Sequence, residues 1–482
     1  MATDTSLDPQ DWDETRAQGH RMLDELFDHL QGLRDQPAWR PIPEEVRARH
    51  HSGLPVAAGS LAEAHDAFKA DMLAYAGGNL HPGFMGWVQG AGTPVGVLAE
   101  MLAAGLNGNL GGRDHMPIAI EQEVVGWMRG LFGFPDAATG LMVTGASMAN
   151  FIGVLVARQR ALGIDVRRAG VSGPRLTAYA SVATHGCVSR GMDMAGLGSQ
   201  NLRQIAVDGL HRIDLEPLKA AIAADRAAGL RPFLLIANAG SVDAGAIDDI
   251  EALADIAAAE GLHLHVDGAF GAMGMLTPEI APRLKGIERA DSLAFDFHKW
   301  AHVPYDAGFV LVRDGALHRD TFATSAAYLS REARGLAGGD FWPCDYGPDL
   351  SRGFRALKVW FTLKVLGTAA IARAIEHNCA LARALQVRVE AEPELELLAP
   401  AQLSIVCFRY RTHPGEADAV NRAIVADLHE AGAVAPSLTT IGGKAAIRAA
   451  LFNHRTETRD IEALIEGVLA CGRARTAKEA AA

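Results

Sequence analysis

Apolar residues recur with two alternating periods between about residues 94 and 313. Windows with an apolar residue every three or four positions predict helices, and short apolar runs between them predict strands. The predicted strands are 140–143, 176–180, 205–207, 233–237, 262–266, 292–294 and 309–312. The predicted helices include 118–131, 149–161, 215–228 and 250–260. This alternation indicates an α/β layer on a largely parallel sheet, in which active sites lie at the carboxyl ends of the strands.

The regions on either side of this layer have different patterns. Residues 15–33 carry apolar residues at helical spacing, and a single helix must pack on another surface because it cannot form a core alone. After residue 351, helices and the predicted strands 403–409 and 445–451 follow in an order typical of an α+β unit. We therefore predict an N-terminal helical segment over 1–80, a large α/β domain over 81–350 and a smaller C-terminal α+β domain over 351–482.

Composition narrows the class of protein. The 482 residues carry a net charge of -12, which argues against nucleic acid or an anionic membrane as a partner. The N-terminus is polar and acidic, and no apolar run is long enough for a membrane span, so we expect a cytoplasmic protein. The cysteines are scattered and odd in number, which predicts neither a disulfide framework nor a structural metal site; they are Cys187, Cys344, Cys379, Cys407 and Cys471.

The first candidate for chemistry is Lys299, which follows the predicted strand 292–294 and lies between His298 and Trp300. Desolvation favours the neutral amine of a lysine, the form that condenses with an aldehyde. On this segment alone, a surface lysine beside aromatic residues is an open alternative.

The second candidate is Asp267, at the end of the predicted strand 262–266 and before the small residue Ala269. A carboxylate at a strand end can keep a pyridine nitrogen protonated, and Ala269 leaves room for a flat ring. Two alternatives remain open. Asp267 is also a suitable helix N-cap, and His263 and His265 share a face suited to a metal, although no third ligand accompanies them.

Two further segments follow predicted strands. Residues 144–150 read as a small-residue turn into a helix, where free N–H groups, including that of Ala146, and the Ser147 hydroxyl suit a phosphate. His185 follows the strand 176–180 and could stack on a cofactor. Taken singly, the turn is also an ordinary capped βα turn and His185 an ordinary structural histidine. Together, a phosphate site, a stacking ring, an acid and an amine are the parts that pyridoxal 5'-phosphate (PLP) requires.

These residues resemble the fold type I PLP enzymes, specifically the group II decarboxylases, which include aromatic-L-amino-acid and glutamate decarboxylases. The likeness runs from about residue 19 to residue 468. Its motifs are His81-Pro82-Gly83-Phe84, 144–150, His185, 238–248, His265-Val266-Asp267, His298-Lys299-Trp300, 354–360 and 453–456.

The resemblance implies a fold and a reaction. The fold is that of the aspartate aminotransferase-like PLP-dependent transferases, with a large, mainly parallel seven-stranded sheet domain and a smaller C-terminal domain. The reaction is removal of the α-carboxylate of an L-amino acid to give an amine and CO2, and an aromatic or apolar side chain is the expectation for the substrate. A homodimer with its active site at the interface is also implied, in which the segment 1–80 would take part in dimer packing.

The resemblance also assigns roles within the site. Lys299, Asp267 and His185 become the catalytic residues: Lys299 forms the Schiff base with PLP, Asp267 keeps the pyridine nitrogen protonated and His185 stacks on the ring. The cofactor-binding residues are Ala146, Ser147, His185, Asp267, Ala269, His298 and Lys299, with no metal.

Several departures bear on substrate and reaction. Gly83 replaces the usual Arg, and Asp296 lies where some members have Asn near the phosphate, so an acid there must point away or be offset. The family's mobile-loop tyrosine has no clear match between 326 and 346, where Phe341, Trp342 and Tyr346 compete for its place, with Tyr328 further back. Trp87, Phe341 and Tyr346 are the candidate substrate residues. An aldehyde-forming oxidative reaction, another PLP reaction such as that of an aldolase, lyase or aminotransferase, and a non-catalytic PLP-binding homologue stay open as alternatives.

Overall fold

The structure, a computed structural model, describes residues 6–324 and 331–480. The helices are α1 (Trp12–Gln31), α2 (Glu44–Arg49), α3 (Leu61–Ala67), α4 (Pro94–Leu106), α5 (Met116–Phe132), α6 (Ala146–Leu162), α7 (Val166–Ala169), α8 (Gly186–Met194), α9 (Leu215–Ala227), α10 (Ile250–Glu260), α11 (Gly315–Phe322), α12 (Arg355–Ala391), α13 (Ala417–Ala431) and α14 (Thr458–Ala480). The strands are β1 (Phe84–Met85), β2 (Thr139–Val143), β3 (Leu176–Ser181), β4 (Leu202–Ile205), β5 (Arg231–Asn238), β6 (His263–Asp267), β7 (Ser292–Asp296), β8 (Gly308–Val312), β9 (Leu395–Gln402), β10 (Ile405–Tyr410), β11 (Ala435–Ile441) and β12 (Lys444–Ala450).

The large sheet has seven strands in the order β2-β8-β7-β6-β5-β3-β4. Strand β8 runs antiparallel to both of its neighbours, and the other pairs are parallel. Helix α6 packs across β6, β7 and β8. The predicted α/β layer with a mainly parallel sheet is therefore confirmed, and β8 makes the sheet a mixed one. Strands β6, β7 and β8 are buried along their whole length, as is typical of strands covered on both faces.

One predicted strand of this sheet starts three residues and ends two residues later than the observed strand. Residues 205–207 were expected to form it, whereas β4 spans Leu202–Ile205. Val207 has already left the sheet and forms an isolated antiparallel bridge with Ile213. The apolar run 205–207 therefore begins at the last residue of the strand rather than lying at its centre.

The second sheet has five strands in the order β1-β11-β12-β10-β9, with α13 and α14 packed against it. Strands β9 and β11 were not predicted, since their outward positions are mixed in polarity. The short strand β1 pairs in parallel with β11, so residues 84–85 join this sheet although they precede the large one in sequence. The Asn453 side chain fixes this arrangement by donating to the carbonyl oxygens of Asn79, Leu80 and His81.

The N-terminal region packs back on the C-terminal part of the chain. Asp11 caps α1 by accepting hydrogen bonds from the N–H groups of Asp13 and Glu14, so the helix begins before the predicted residue 15. Just after α1, Arg34 donates to Asp460 at 2.8 Å and to the Arg455 carbonyl at 2.8 Å. In residues 6–324 and 331–480, no helix has both the length and the apolar character to cross a bilayer.

Candidate active site

The carboxyl ends of β2, β3, β5, β6 and β7 meet at one edge of the large sheet and surround a cavity of about 240 Å³. This convergence follows from parallel strands, whose ends share an edge. The cavity wall includes every residue that the sequence predicted as catalytic or cofactor-binding: Ala146, Ser147, His185, Asp267, Ala269, His298 and Lys299.

Lys299 and Asp296 form an ion pair on this wall. The Lys299 Nζ lies 2.9 Å from the Asp296 Oδ2. The other carboxylate oxygen accepts a hydrogen bond of 2.7 Å from the N–H of Ala146, the first residue of α6. The Asp296 side chain is only 2% exposed, so both contacts replace hydration that burial removes. The acid expected to need an offset at this position is therefore offset by a cation and a helix N-terminus.

His298 stands beside this pair. Its Nδ1 accepts from the Ala307 N–H at 3.0 Å, which leaves the proton of the neutral ring on Nε2, 3.6 Å from Asp296 Oδ2. Burial lowers the pKa of His298, although the nearby Asp296 charge opposes that effect. The ring of Tyr305 lies 4.2 Å from the His298 ring.

Asp267 is buried but is left without a cation at bonding distance among the described residues. Its Oδ1 accepts from the Ala269 N–H at 3.1 Å. Burial raises the pKa of Asp267, while the charge of Lys299 lowers it to a smaller extent. A protonated pyridine nitrogen would supply the positive charge that such a carboxylate lacks.

His185 occupies the turn between β3 and α8. Its Nδ1 accepts from the Cys187 N–H at 3.2 Å and so caps α8, and the ring itself is exposed to the cavity. The Asn238 Nδ2 donates to the hydroxyl oxygens of Ser181 and Thr184, at 3.1 and 3.0 Å, and thereby holds this turn. Asn238 is held in turn by Asp248, whose pKa burial raises to about 6.

Sequence reasoning missed Tyr305, Val88 and Phe270, which also line the cavity. Tyr305 and Val88 lie on loops, where no hydrophobic periodicity indicates which side chains face the interior. Only the position of Tyr305, six residues after Lys299, hinted at its place.

The candidate substrate residues lie away from the cavity of their own chain. Trp87 is 56% exposed and packs near Phe84, with 6.1 Å between ring centroids. Phe341 stacks on Tyr346 at 4.5 Å, and Tyr346 lies 5.2 Å from His318, near the start of β2 rather than its end. Tyr328 lies outside the described residues.

These features fit PLP: an amine, a buried carboxylate with no cationic partner in the described part of the chain, and a helix N-terminus face one cavity. The small residue Ala269 and the glycine at position 240 border the same space. Gly240 has a φ of +98°, and a Cβ there would lie 2.8 Å from the Phe270 ring, so this wall requires glycine. With the mixed seven-stranded sheet, the site defines a PLP-dependent enzyme of fold type I.

Comparison with known proteins supports this assignment to the PLP-dependent enzymes. Residues 68–411 match the family model described as the pyridoxal-dependent decarboxylase conserved domain. The chain is 34% identical over 466 residues to aromatic-L-amino-acid decarboxylase of Bacillus atrophaeus, with 93% of each chain covered. It is 28% identical over 477 residues to phenylacetaldehyde synthase of Arabidopsis thaliana, with 95% of each covered. The crystal structure of Oryza sativa TDC with PLP and tryptamine shares the fold, with a TM-score of 0.89, 23% identity, and 98% of this chain and 100% of that chain covered.

The chain therefore belongs to the pyridoxal-dependent decarboxylase family. PLP is its cofactor, and removal of the carboxylate of an amino acid is its reaction. The identity of the amino acid and the roles of individual residues are separate questions.

Proposed function

We propose that the enzyme decarboxylates an aromatic L-amino acid to an arylalkylamine and CO2, with Lys299, Asp267 and His185 as its catalytic residues. The observation that carries the proposal is the shared cavity. The Asp267 carboxylate ends β6, and the Lys299 amine follows the neighbouring strand β7. Both face one space, and His185 lies on the wall beside them.

Several observations support an aromatic side chain. Val88, Val242, Phe270 and Tyr305 provide apolar wall around the charged groups. No arginine lines the cavity within the described part of the chain, so a second carboxylate, as in glutamate, would lack a partner there. The relative from Bacillus atrophaeus is named an aromatic-L-amino-acid decarboxylase.

The chain's own groups would divide the work as follows. When bound, PLP supplies an aldehyde that condenses with amines and a ring that accepts the electron pair left by loss of CO2. Lys299 presents its amine, and Asp267 holds a proton at the ring nitrogen. His185 covers one face, Ala269 leaves room for the ring, and Ala146, Ser147 and His298 hold the phosphate.

We propose further that two chains form a homodimer that completes the active site. His185, Thr144 and Ser147 are exposed in the single chain, which leaves the cavity open on one side. Helix α4 presents Leu102 and Leu106 to solvent, 46% and 63% exposed, a pattern typical of an interface. Leu106→Glu should shift the mass measured by light scattering from dimer to monomer and lower activity. A wild-type mass would contradict this interface.

We place the enzyme in the cytoplasm. The five cysteines are free, in keeping with a reducing compartment. Fractionation of cells that express the tagged chain tests this placement, and recovery from a membrane or secreted fraction would refute it.

The substrate is tested by incubating the holoenzyme with phenylalanine, tyrosine, tryptophan and glutamate, while CO2 and amine are measured together. We expect equal amounts of CO2 and amine from at least one aromatic amino acid and none from glutamate. Turnover of glutamate alone would refute the aromatic assignment and leave the decarboxylase family intact.

A second candidate reaction rests on the similarity to phenylacetaldehyde synthase. There, the amino acid, O2 and water would give an aldehyde, CO2, ammonia and hydrogen peroxide in equal amounts. A peroxide assay in the same incubations separates the two reactions, because simple decarboxylation consumes no oxygen.

A further inference from the structure

Asn150 is a buried polar residue at the meeting point of three elements of the cofactor site. It belongs to α6 and is 0% exposed. Its Oδ1 lies 2.7 Å from the His265 Nε2, on β6, and its Nδ2 donates at 3.4 Å to the Cys187 Sγ, on α8. One side chain therefore joins α6 both to β6 and to α8.

Each of these three elements carries a group that the site assigns to the cofactor. Ser147 lies in the first turn of α6, Asp267 ends β6, and His185 caps α8. His265 precedes Asp267 by two positions, so the two side chains lie on the same face of β6. Asn150 is therefore bonded close to each of these groups without being one of them.

The hydrogen bond between Asn150 and His265 has a defined direction. Burial lowers the pKa of His265 to about 3, so its ring is neutral near pH 7 and carries a single N–H. Because the Asn150 Nδ2 faces the Cys187 sulfur, its Oδ1 accepts from the His265 Nε2. The His265 Nδ1 then accepts from the Ser292 hydroxyl, on β7, at 2.7 Å. Both ring nitrogens of this possible metal ligand are thus engaged by protein groups.

The close approach of α6 to β6 also depends on a glycine. Gly153 lies on α6 about one turn after Asn150 and faces the His265 ring. A Cβ at Gly153 would lie 2.5 Å from the Cε1 and Nδ1 atoms of that ring. Since packed interiors leave no room for such an overlap, a side chain here would displace the ring or move the helix away from the strand. The hydrogen bond and the glycine together set the distance between helix and strand.

This distance matters because PLP carries its phosphate and its ring nitrogen on one rigid ring. The phosphate contact from Ser147 lies on α6, and the acid for the ring nitrogen, Asp267, lies on β6. Two contacts made by one ligand reinforce each other only if the ligand can reach both at once. The spacing of helix and strand therefore decides how much the phosphate adds to the binding of the ring.

We propose that Asn150 is a positioning residue that holds Ser147, His185 and Asp267 at the spacing that one PLP molecule requires. The inference rests on the cofactor contacts proposed above and adds the residue that keeps them in register. Asn150 acts through His265 and Cys187 and takes no part in the chemistry.

The test compares PLP with pyridoxal, which lacks the phosphate, by equilibrium dialysis against the full-length protein freed of cofactor. Asn150→Leu is similar in size but cannot form hydrogen bonds. It should weaken PLP binding at least about tenfold and pyridoxal binding less than about threefold, because only PLP has a phosphate to place. The visible circular dichroism per bound PLP, which reports the orientation of the ring, should change as well. The control Gln159→Leu removes a buried amide from the same helix outside the cavity wall and should keep the wild-type preference for PLP.

A second variant changes the spacing and keeps every hydrogen-bonding group. Gly153→Ala places a methyl group against the His265 ring and should also lower the preference for PLP over pyridoxal. Its control is Gly130→Ala, on α5, where a Cβ would meet no described atom within 4 Å.

Two results would overturn the proposal. One is an equal loss of affinity for both compounds, which is the mark of a merely structural role. The other is a wild-type preference for PLP in both Asn150→Leu and Gly153→Ala. If Asn150→Leu does not fold, Gly153→Ala decides. No substrate is present in these measurements, so a wrong substrate assignment would leave them unchanged and the two proposals fail separately.

Discussion

Two aspartates end neighbouring strands at the cofactor edge, and their surroundings differ sharply. Asp296 ends β7, and the protein's own groups compensate its charge: it forms an ion pair with the Lys299 ammonium and accepts a hydrogen bond from the Ala146 N–H. Asp267 ends β6, accepts one backbone hydrogen bond and has no ion pair among the described residues. Both are nearly excluded from solvent, at 2% and 5% exposure.

The difference separates a carboxylate that is already compensated from one that requires an external cation. Burial alone penalises the charged form, and only a nearby positive charge restores it. The pKa of Asp267 is raised by burial, which marks it as the group that gains most from a pyridinium partner. The Asp296 carboxylate is instead the negative charge that balances the Lys299 ammonium and the N-terminus of α6.

The largest expected effect comes from removing the Lys299 amine, which forms the ion pair with Asp296. Lys299→Ala should abolish the cofactor adduct that borohydride traps and lower turnover by about a thousandfold or more. Mass spectrometry after reduction and a CO2 assay measure the two effects. Lys219→Ala, which changes an exposed lysine, is the matched control. An adduct that persists at another lysine would disprove the role of Lys299.

Asp267→Asn is expected to have the second-largest effect. An amide cannot hold the ring nitrogen protonated, so turnover should fall by about 10²–10⁴-fold, the range typical of groups that act in general acid–base catalysis. The measurement is initial rate at saturating cofactor. Asp225→Asn, which removes a buried acid from its pair with Arg203 outside the site, should leave the chemistry unchanged. Near-normal turnover of Asp267→Asn would refute the assignment.

The same variant also tests the stability of the cofactor-free protein. Because the folded-state pKa of Asp267 is raised, its contribution to stability is present below its ordinary value of 3.8 and is lost as the pH rises through the raised pKa. Asp267→Asn should remove that loss, so its free energy of unfolding should fall less than that of the wild type as the pH rises through the raised pKa. Urea unfolding across pH measures it, and a steeper loss of stability in the variant would contradict the buried-acid account.

Sequence reasoning brought Lys299, Asp267, Ala146 and Ser147 to one place because each follows a strand of one sheet. It could not find the partners of Asp296, since Ala146 is 150 positions away and their contact exists only in the folded chain. Tyr305 was missed because its loop has no period. The placement of Phe341 and Tyr346 depends on packing against His318 rather than on their spacing from Lys299.

Asp296→Asn should have a smaller effect and sharpens the comparison. The amide oxygen can still accept from the Ala146 N–H, but the negative charge beside the phosphate site is gone. We expect the preference for PLP over pyridoxal, which lacks the phosphate, to rise by up to about tenfold. Equilibrium dialysis of both compounds measures it, with Asp225→Asn as control. An unchanged preference would show that the Asp296 charge does not act on the phosphate.

The smallest effect is expected at Tyr305, where the Asp296 charge also acts. Partial burial and, to a smaller extent, that charge raise the pKa of Tyr305 to about 12, so the phenol stays protonated while the enzyme works. If its ring serves only to pack on His298, Tyr305→Phe should keep turnover within about threefold and leave the pH profile unchanged up to about pH 9. Rates measured across pH test this, with Tyr75→Phe, distant in sequence and outside the cavity wall, as control. A loss near a hundredfold would instead identify the phenol as a proton donor, since proton transfer contributes at least about that much. In that case the neighbouring carboxylate would have the second task of keeping a proton on this oxygen.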